Sequence, residues 1–214
     1  MEDARRYGFA TRQAYARARR AELTNALQIA GIDPRQAIAL EFVDQECVWH
    51  LAELALRIRC LIADEQPRIL LAPSYEGGHP DHDSVAFAVH AACRMIRKDL
   101  QPPAIFEYAL YHNCSGKFCT GEFLPFPNCE CFSVSLNESA KILKRRMLNS
   151  FTTQREILAP FSTSSETFRT APQYDFTRPP HQGKLYYENF PWGVSGAEWR
   201  ARAAAAAREL GITF

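Results

Sequence analysis

Residues 70–90 read LLAPSYEGGHPDHDSVAFAVH. With Arg68 and Ile69 in front, RILLAP (68–73) is a continuous apolar run, the pattern of a strand buried on both faces of a parallel sheet. Gly77 and Gly78 let the backbone turn sharply out of that strand, and Pro80 stiffens the turn. Asp83-Ser84 supplies capping side chains for the helix that SVAFAVHAACRMIRK (84–98) predicts. Two histidines and two aspartates, His79, Asp81, His82 and Asp83, lie between strand and helix. In open parallel sheets ligands bind beyond the carboxyl ends of the strands, which makes this loop the candidate site. A histidine pair three apart can present one ring to a metal and the other to a substrate, while a neighbouring carboxylate orients a ring through its second N–H. A polar turn that merely caps a helix is the competing reading; the glycine pair and the strand end weigh against it.

Working outward, Thr11–Ala30 has helical apolar spacing and stops at Gly31 and Pro34. AIALEFV (37–43) is a strand candidate, WHLAELALRIRCLIADEQ (49–66) an apolar helix, and AIFEYALYH (104–112) a further strand. The order β-α-β-α-β predicts an α/β fold, a parallel sheet with helices on both faces. From about 112 to 190 the chain reads as irregular, and 158–180, rich in Ser, Thr and Pro, as a surface loop. GAEWRARAAAAARELGI (196–212) predicts a helix whose alanine face suits the sheet or a second subunit.

Charge is balanced, 25 Lys+Arg against 24 Asp+Glu, so no field favours nucleic acid or an anionic membrane surface. No apolar run approaches the ~20 residues that span a bilayer. The start MEDARRYGFATRQAYARARRAEL is no secretory signal, and seven cysteines without regular spacing fit a reducing cytoplasm. Cys114, Cys119, Cys129 and Cys131 raise the possibility of a structural zinc site, but Cys-x4-Cys and Cys-x-Cys are not the usual knuckle pairs. No serine-hydrolase elbow, phosphate-binding loop or dinucleotide fingerprint is present. His50 and His90 fall on apolar helices and read as core or surface groups; His112 and His181 belong to no constellation.

YEGGHPDHD (75–83) after an apolar strand resembles the second signature of the LmbE-like, PIG-L-type N-acetylglucosaminyl deacetylases. Arg19-Arg20-Ala21-Glu22-Leu23, Asp44, KRRMLNSFTTQREIL (144–158) and LYYENFPWGVSGAEWRARA (185–203) resemble further parts of the family. The resemblance spans nearly the whole chain as one domain, 1–214. It implies a Rossmann-like α/β fold and zinc-dependent hydrolysis of the acetamide of an N-acetylated amino sugar or conjugate. It makes His82 the metal ligand, His79 the group that stabilises the oxyanion or protonates the amine, and Asp81 the residue orienting a histidine ring. Arg19, Asp44 and Tyr75 are the substrate-contacting candidates, and Glu76 is a further pocket residue.

The family also carries a His-Pro-Asp-Asp-Glu segment that supplies two of its three zinc ligands and its general base. No such segment occurs in these 214 residues, so the resemblance implies an N-terminally truncated form of the fold. Two expectations follow. An active parent begins upstream, or the chain is a non-catalytic relative that binds a sugar or a protein without zinc. Loss of strands from the sheet should also expose apolar strand edges and favour self-association.

Overall fold

The computed structural model describes residues 2–96 and 101–214. Helices are α1 (Glu2–Arg6), α2 (Arg12–Ile29), α3 (Leu51–Glu65), α4 (Pro80–Ile96), α5 (Glu138–Asn149), α6 (Arg155–Leu158) and α7 (Gly196–Glu209). Strands are β1 (Ile69–Pro73), β2 (Ala104–Tyr108), β3 (Tyr111–Cys114), β4 (Lys117–Thr120), β5 (Cys131–Ser135) and β6 (Ser165–Thr170). The chain forms two compact units, Met1–Ala39 with Val134–Ser165 and Leu40–Ser133 with Glu166–Phe214.

The first unit holds α1, α2, α5 and α6. Thr11 caps α2 by accepting the Ala14 N–H at 3.1 Å, and Gly31, at φ +73°, ends it. Glu22 is buried on α2; its carboxylate accepts the hydroxyl of Thr152 at 2.7 Å and both the N–H, at 2.8 Å, and the hydroxyl, at 2.7 Å, of Thr153. Burial works against its charge, but these hydrogen bonds outweigh it and hold its pKa below the usual range. The Arg-x-x-Glu pattern thus has a structural task here: Glu22 ties α2 to the turn after α5.

In the second unit β1 and β2 pair in parallel, Ile69 opposite Ala104 through Pro73 opposite Tyr108. The four-stranded sheet runs β1-β2-β6-β5, with β6 antiparallel to β2. It is therefore mixed rather than wholly parallel. Leu70 and Ile105 pack with Ile62 of α3 and Ala92, Cys93 and Ile96 of α4. A larger core joins Leu54, Phe87, Phe176, Tyr187 and Trp199, each such side chain contributing roughly 1.5–3 kcal/mol on burial. The alanine face of α7 buries Ala203 and Ala206 in this same core. β1 ends the sheet, and its Ile69 and Leu71 are 57% and 62% exposed, so it is not the strand buried on both faces that its apolar run predicts.

Several expectations are corrected. Residues 37–43 form no strand: Glu41, at φ +56°, breaks the extended backbone, although Leu40 and Phe42 still pack on the core. The helix expected from Ser84 begins at Pro80, because proline suits a first helical turn. Asp83 consequently lies inside that turn and is not its cap. The far end of the expected helix, Arg97 and Lys98, lies outside the described residues. AIFEYALYH divides into β2 and β3. The stretch read as irregular contains the β3–β4 hairpin, whose turn residues Ser115 and Gly116 have φ +52° and +85°. The expected Ser/Thr-rich loop contains β6, whose Thr and Phe residues suit a strand.

Candidate active site

The turn from β1 into α4 is held from several sides. Oδ1 of the fully buried Asp83 accepts the N–H groups of Glu76 at 3.2 Å and Gly77 at 3.1 Å. Gly77 takes φ +69°, which favours glycine. At Gly78 a Cβ would overlap the carbonyl oxygen of Tyr111, so only glycine lets β3 approach so closely. Behind the turn, the Ser84 hydroxyl donates to the Pro80 carbonyl at 2.6 Å, and Trp199 Nε1–H donates to the same carbonyl at 3.3 Å and to Ser84 Oγ at 3.1 Å.

On this frame Asp44, His79 and Asp81 bring one ligand atom each within 4.8 Å of one another. Among the described residues they are the only group of three or more His, Cys, Asp or Glu side chains to do so. The Asp81 carboxylate accepts the N–H of Gln45 at 2.6 Å and of Cys47 at 3.2 Å, which docks the 44–47 segment onto the start of α4. Burial raises the Asp81 pKa to about 6; the backbone N–H of Gln45 opposes the rise and the Asp44 charge adds to it. Burial and the Asp81 and Asp44 charges push the Cys47 thiol up to about 12, so it stays protonated.

The two histidines are neutral. Burial lowers His79 to about 4, and burial with the nearby His79 lowers His82 to about 3. The Asp81 backbone N–H donates to His79 Nδ1 at 3.1 Å, which puts the ring proton on Nε2. The Asp81 carboxylate stays 4.0 Å from Nδ1. The bond to the His79 ring thus comes from the main chain at position 81, not from the Asp81 carboxylate that the expectation assigned to it; the carboxylate binds Gln45 and Cys47 instead. His82 stands outside the three-residue cluster, its ring 5.1 Å from that of His79 and 5.3 Å from that of Tyr111. Trp192 faces His79 at 4.8 Å, and Phe190 stacks on Trp192 at 4.6 Å.

The other candidates are placed differently. Tyr75 is a core residue, packed on Tyr174, Phe176 and Trp199, with its hydroxyl donating to the Arg178 carbonyl at 2.8 Å. Arg19 lies half-buried on α2 in the first unit. His90 is buried against Tyr174 and Phe176, and His50 stands 3.5 Å from Glu53. All seven cysteines are free thiols, and Cys114, Cys119, Cys129 and Cys131 form no three-donor cluster among the described residues.

Sequence reasoning missed a buried ionic network. Arg169 Nε donates to Glu107 at 2.7 Å, Nη1 to the Leu124 carbonyl at 3.0 Å, and Nη2 to the Tyr174 hydroxyl at 2.8 Å and to Glu76 at 3.4 Å. His112 Nδ1 stands 3.6 Å from Glu76. A cavity of about 260 Å³ opens beside Glu76, Arg169, Tyr174 and Phe126. None of Asp44, His79, Asp81 or His82 lines it, so its size does not make it the chemical site.

Two carboxylates and an imidazole are donors that divalent cations accept, and each Asp81 oxygen keeps a lone pair beyond its one backbone N–H. The residues present fit such an ion, with Asp44 and Asp81 as its holders. His79 would join through Nδ1 by giving up the Asp81 N–H bond while its proton stays on Nε2, or through Nε2 with the proton moved to Nδ1.

The arrangement is an α/β protein with a His/Asp site where a parallel strand turns into a helix. Residues 2–93 match the model of the family described as GlcNAc-PI de-N-acetylase, PIG-L, which is consistent with an LmbE-like, PIG-L-type family member. The matched stretch contains Arg19, Asp44, Tyr75, His79, Asp81 and His82. No curated protein and no solved structure gives a significant match.

Proposed function

We propose that this chain is a metal-dependent deacetylase that hydrolyses the acetamide of an N-acetylglucosamine-type amino sugar or conjugate. The observation that carries the reading is the convergence of Asp44, His79 and Asp81 at the carboxyl end of β1, within the stretch that matches a de-N-acetylase family. Asp44 and Asp81 would hold a divalent cation, zinc by family resemblance, which when bound would supply Lewis-acid polarisation of the acetamide carbonyl. His79, neutral and carrying its proton on Nε2, donates a hydrogen bond to the carbonyl oxygen as that oxygen gains charge. The 44–47 segment, tied to Asp81 through Gln45 and Cys47, keeps the two carboxylates together as the substrate enters.

The test is metal content after exposure to zinc, together with acetate release from N-acetylglucosamine. The wild-type chain, the Asp44→Asn/Asp81→Asn variant and His82→Ala are compared. The expected result is about one zinc per chain, lost in the double variant, with acetate released only by the loaded wild type. Loss in His82→Ala as well would add His82 to the ligand set. A folded wild-type chain that takes up no zinc and releases no acetate would overturn the proposal and leave the non-catalytic binding reading in its place.

A further inference from the structure

We propose that the Phe190–Trp192 ring stack is the subsite for the pyranose ring of the substrate, a proposal that rests on the deacetylase reading above. The two rings stack at 4.6 Å and 15°. Trp192 in turn stands 4.8 Å from the His79 ring. A tight turn carries the stack: the Trp192 N–H donates to the Phe190 carbonyl at 2.9 Å, and Gly193 turns the chain away at φ +77°. Tyr186 braces Phe190 from the side at 5.3 Å. Phe190 is nevertheless 38% exposed, and Trp192 is only partly buried, so this wall is apolar surface beside a polar cluster.

That pairing selects a ligand class. A hexopyranose has one face of C–H groups and a rim of hydroxyls, so it needs an aromatic wall and acceptors together. The aromatic stack supplies the first, and it stands beside the polar Asp44–His79–Asp81 cluster, where the hydroxyl rim would lie. The acetamide nitrogen is bonded directly to a ring carbon. Trp192 is the aromatic ring beside His79, so a pyranose whose acetamide carbonyl meets His79 has this apolar ring near it to rest against. An acyclic acetamide reaches His79 equally well but gains nothing from the wall. Phe190 and Trp192 thus set preference for a cyclic amino sugar over other acetamides.

The experiment compares wild type with Trp192→Ala, Phe190→Ala and Trp192→Phe, using N-acetylglucosamine and acyclic N-acetylethanolamine. Sugar affinity is read by saturation-transfer NMR and titration calorimetry, and acetate release gives kcat/KM for both amides. An aromatic contact of this kind is worth about a three- to tenfold change in affinity. Trp192→Ala is expected to lose that factor for N-acetylglucosamine, to lower the preference for the sugar over the acyclic amide, and to be rescued by Trp192→Phe. Phe190→Ala, at an exposed position, gives the same direction if Trp192→Ala unfolds. Unchanged sugar affinity and unchanged preference in both alanine variants overturn the subsite while leaving deacetylation intact. Sugar bound through Trp192 without acetate release upholds the subsite and sinks the deacetylase reading. A folded wild-type chain that binds no N-acetylglucosamine overturns both.

Discussion

The backbone N–H of Asp81 donates to Nδ1 of His79 at 3.1 Å, and this one bond decides which ring nitrogen can act. Nε2 then carries the proton and can only donate. The bond exists because Pro80 starts α4 at once after His79, so the first helical N–H groups point back at the ring.

The first prediction concerns that tautomer. Long-range proton–nitrogen NMR on the metal-free chain at pH 7 should show His79 neutral, with Nδ1 unprotonated and Nε2 carrying hydrogen. A signal from the opposite tautomer would remove His79 as a donor and favour it as a metal ligand.

Acid should destabilise the second unit through His90. Burial lowers its pKa from 6.5 to about 4, and Nε2 finds no hydrogen-bond partner among the described residues. A base with a depressed folded pKa costs no stability above its unfolded pKa and loses stability as pH falls from the unfolded value to the folded one. From pH 6.5 down to 4 the unfolded chain takes up the proton that the native state refuses. His90→Phe should therefore gain stability relative to wild type by about 3 kcal/mol over that window. Urea melts at pH 7 and pH 4 measure it; an equal offset at both would refute the assignment.

Gly78→Ala should weaken the fold by about 1–3 kcal/mol, the usual range for overpacking. Its methyl group would meet the Tyr111 carbonyl oxygen and force β3 away from the turn that carries His79. A thermal melt unchanged from wild type would show that the hairpin yields freely.

Arg169→Met should lower stability by about 3–5 kcal/mol, because it strands buried Glu107 and Glu76 without their partner. Burial already pushes Glu107 up to about 7 against the pull of Arg169. With the guanidinium gone, the loss should be larger at pH 8, where Glu107 must ionise, than at pH 5. Chemical denaturation at the two pH values reads the difference; a loss greater at pH 5 would contradict it.

The local features were legible in the chain. α2 lies within one residue of its expected ends because Thr11 and Gly31 act on their own neighbours. β1, the Gly-Gly turn and the His-Pro-Asp-His order could be read for the same reason: turn and strand preferences need nothing beyond a few adjacent residues. Where those preferences met a longer-range demand, the reading failed. AIALEFV has the composition of a strand, yet an extended segment becomes one only beside a partner, and Glu41 takes a left-handed conformation instead. β6 joins a sheet whose other strands lie some thirty or more residues away, so its pairing with β2 could not be seen from Ser, Thr and Pro content.

The site divides along the same line. Its residue types and their place after β1 were written in residues 70–90. Tertiary structure alone brings Asp44 to Asp81 through the amides of Gln45 and Cys47, sets Trp192 against His79, and takes Tyr75 into the core. It also fixes the proton chemistry. Desolvation depends on everything packed around a group, and that surrounding is assembled from segments more than a hundred residues apart.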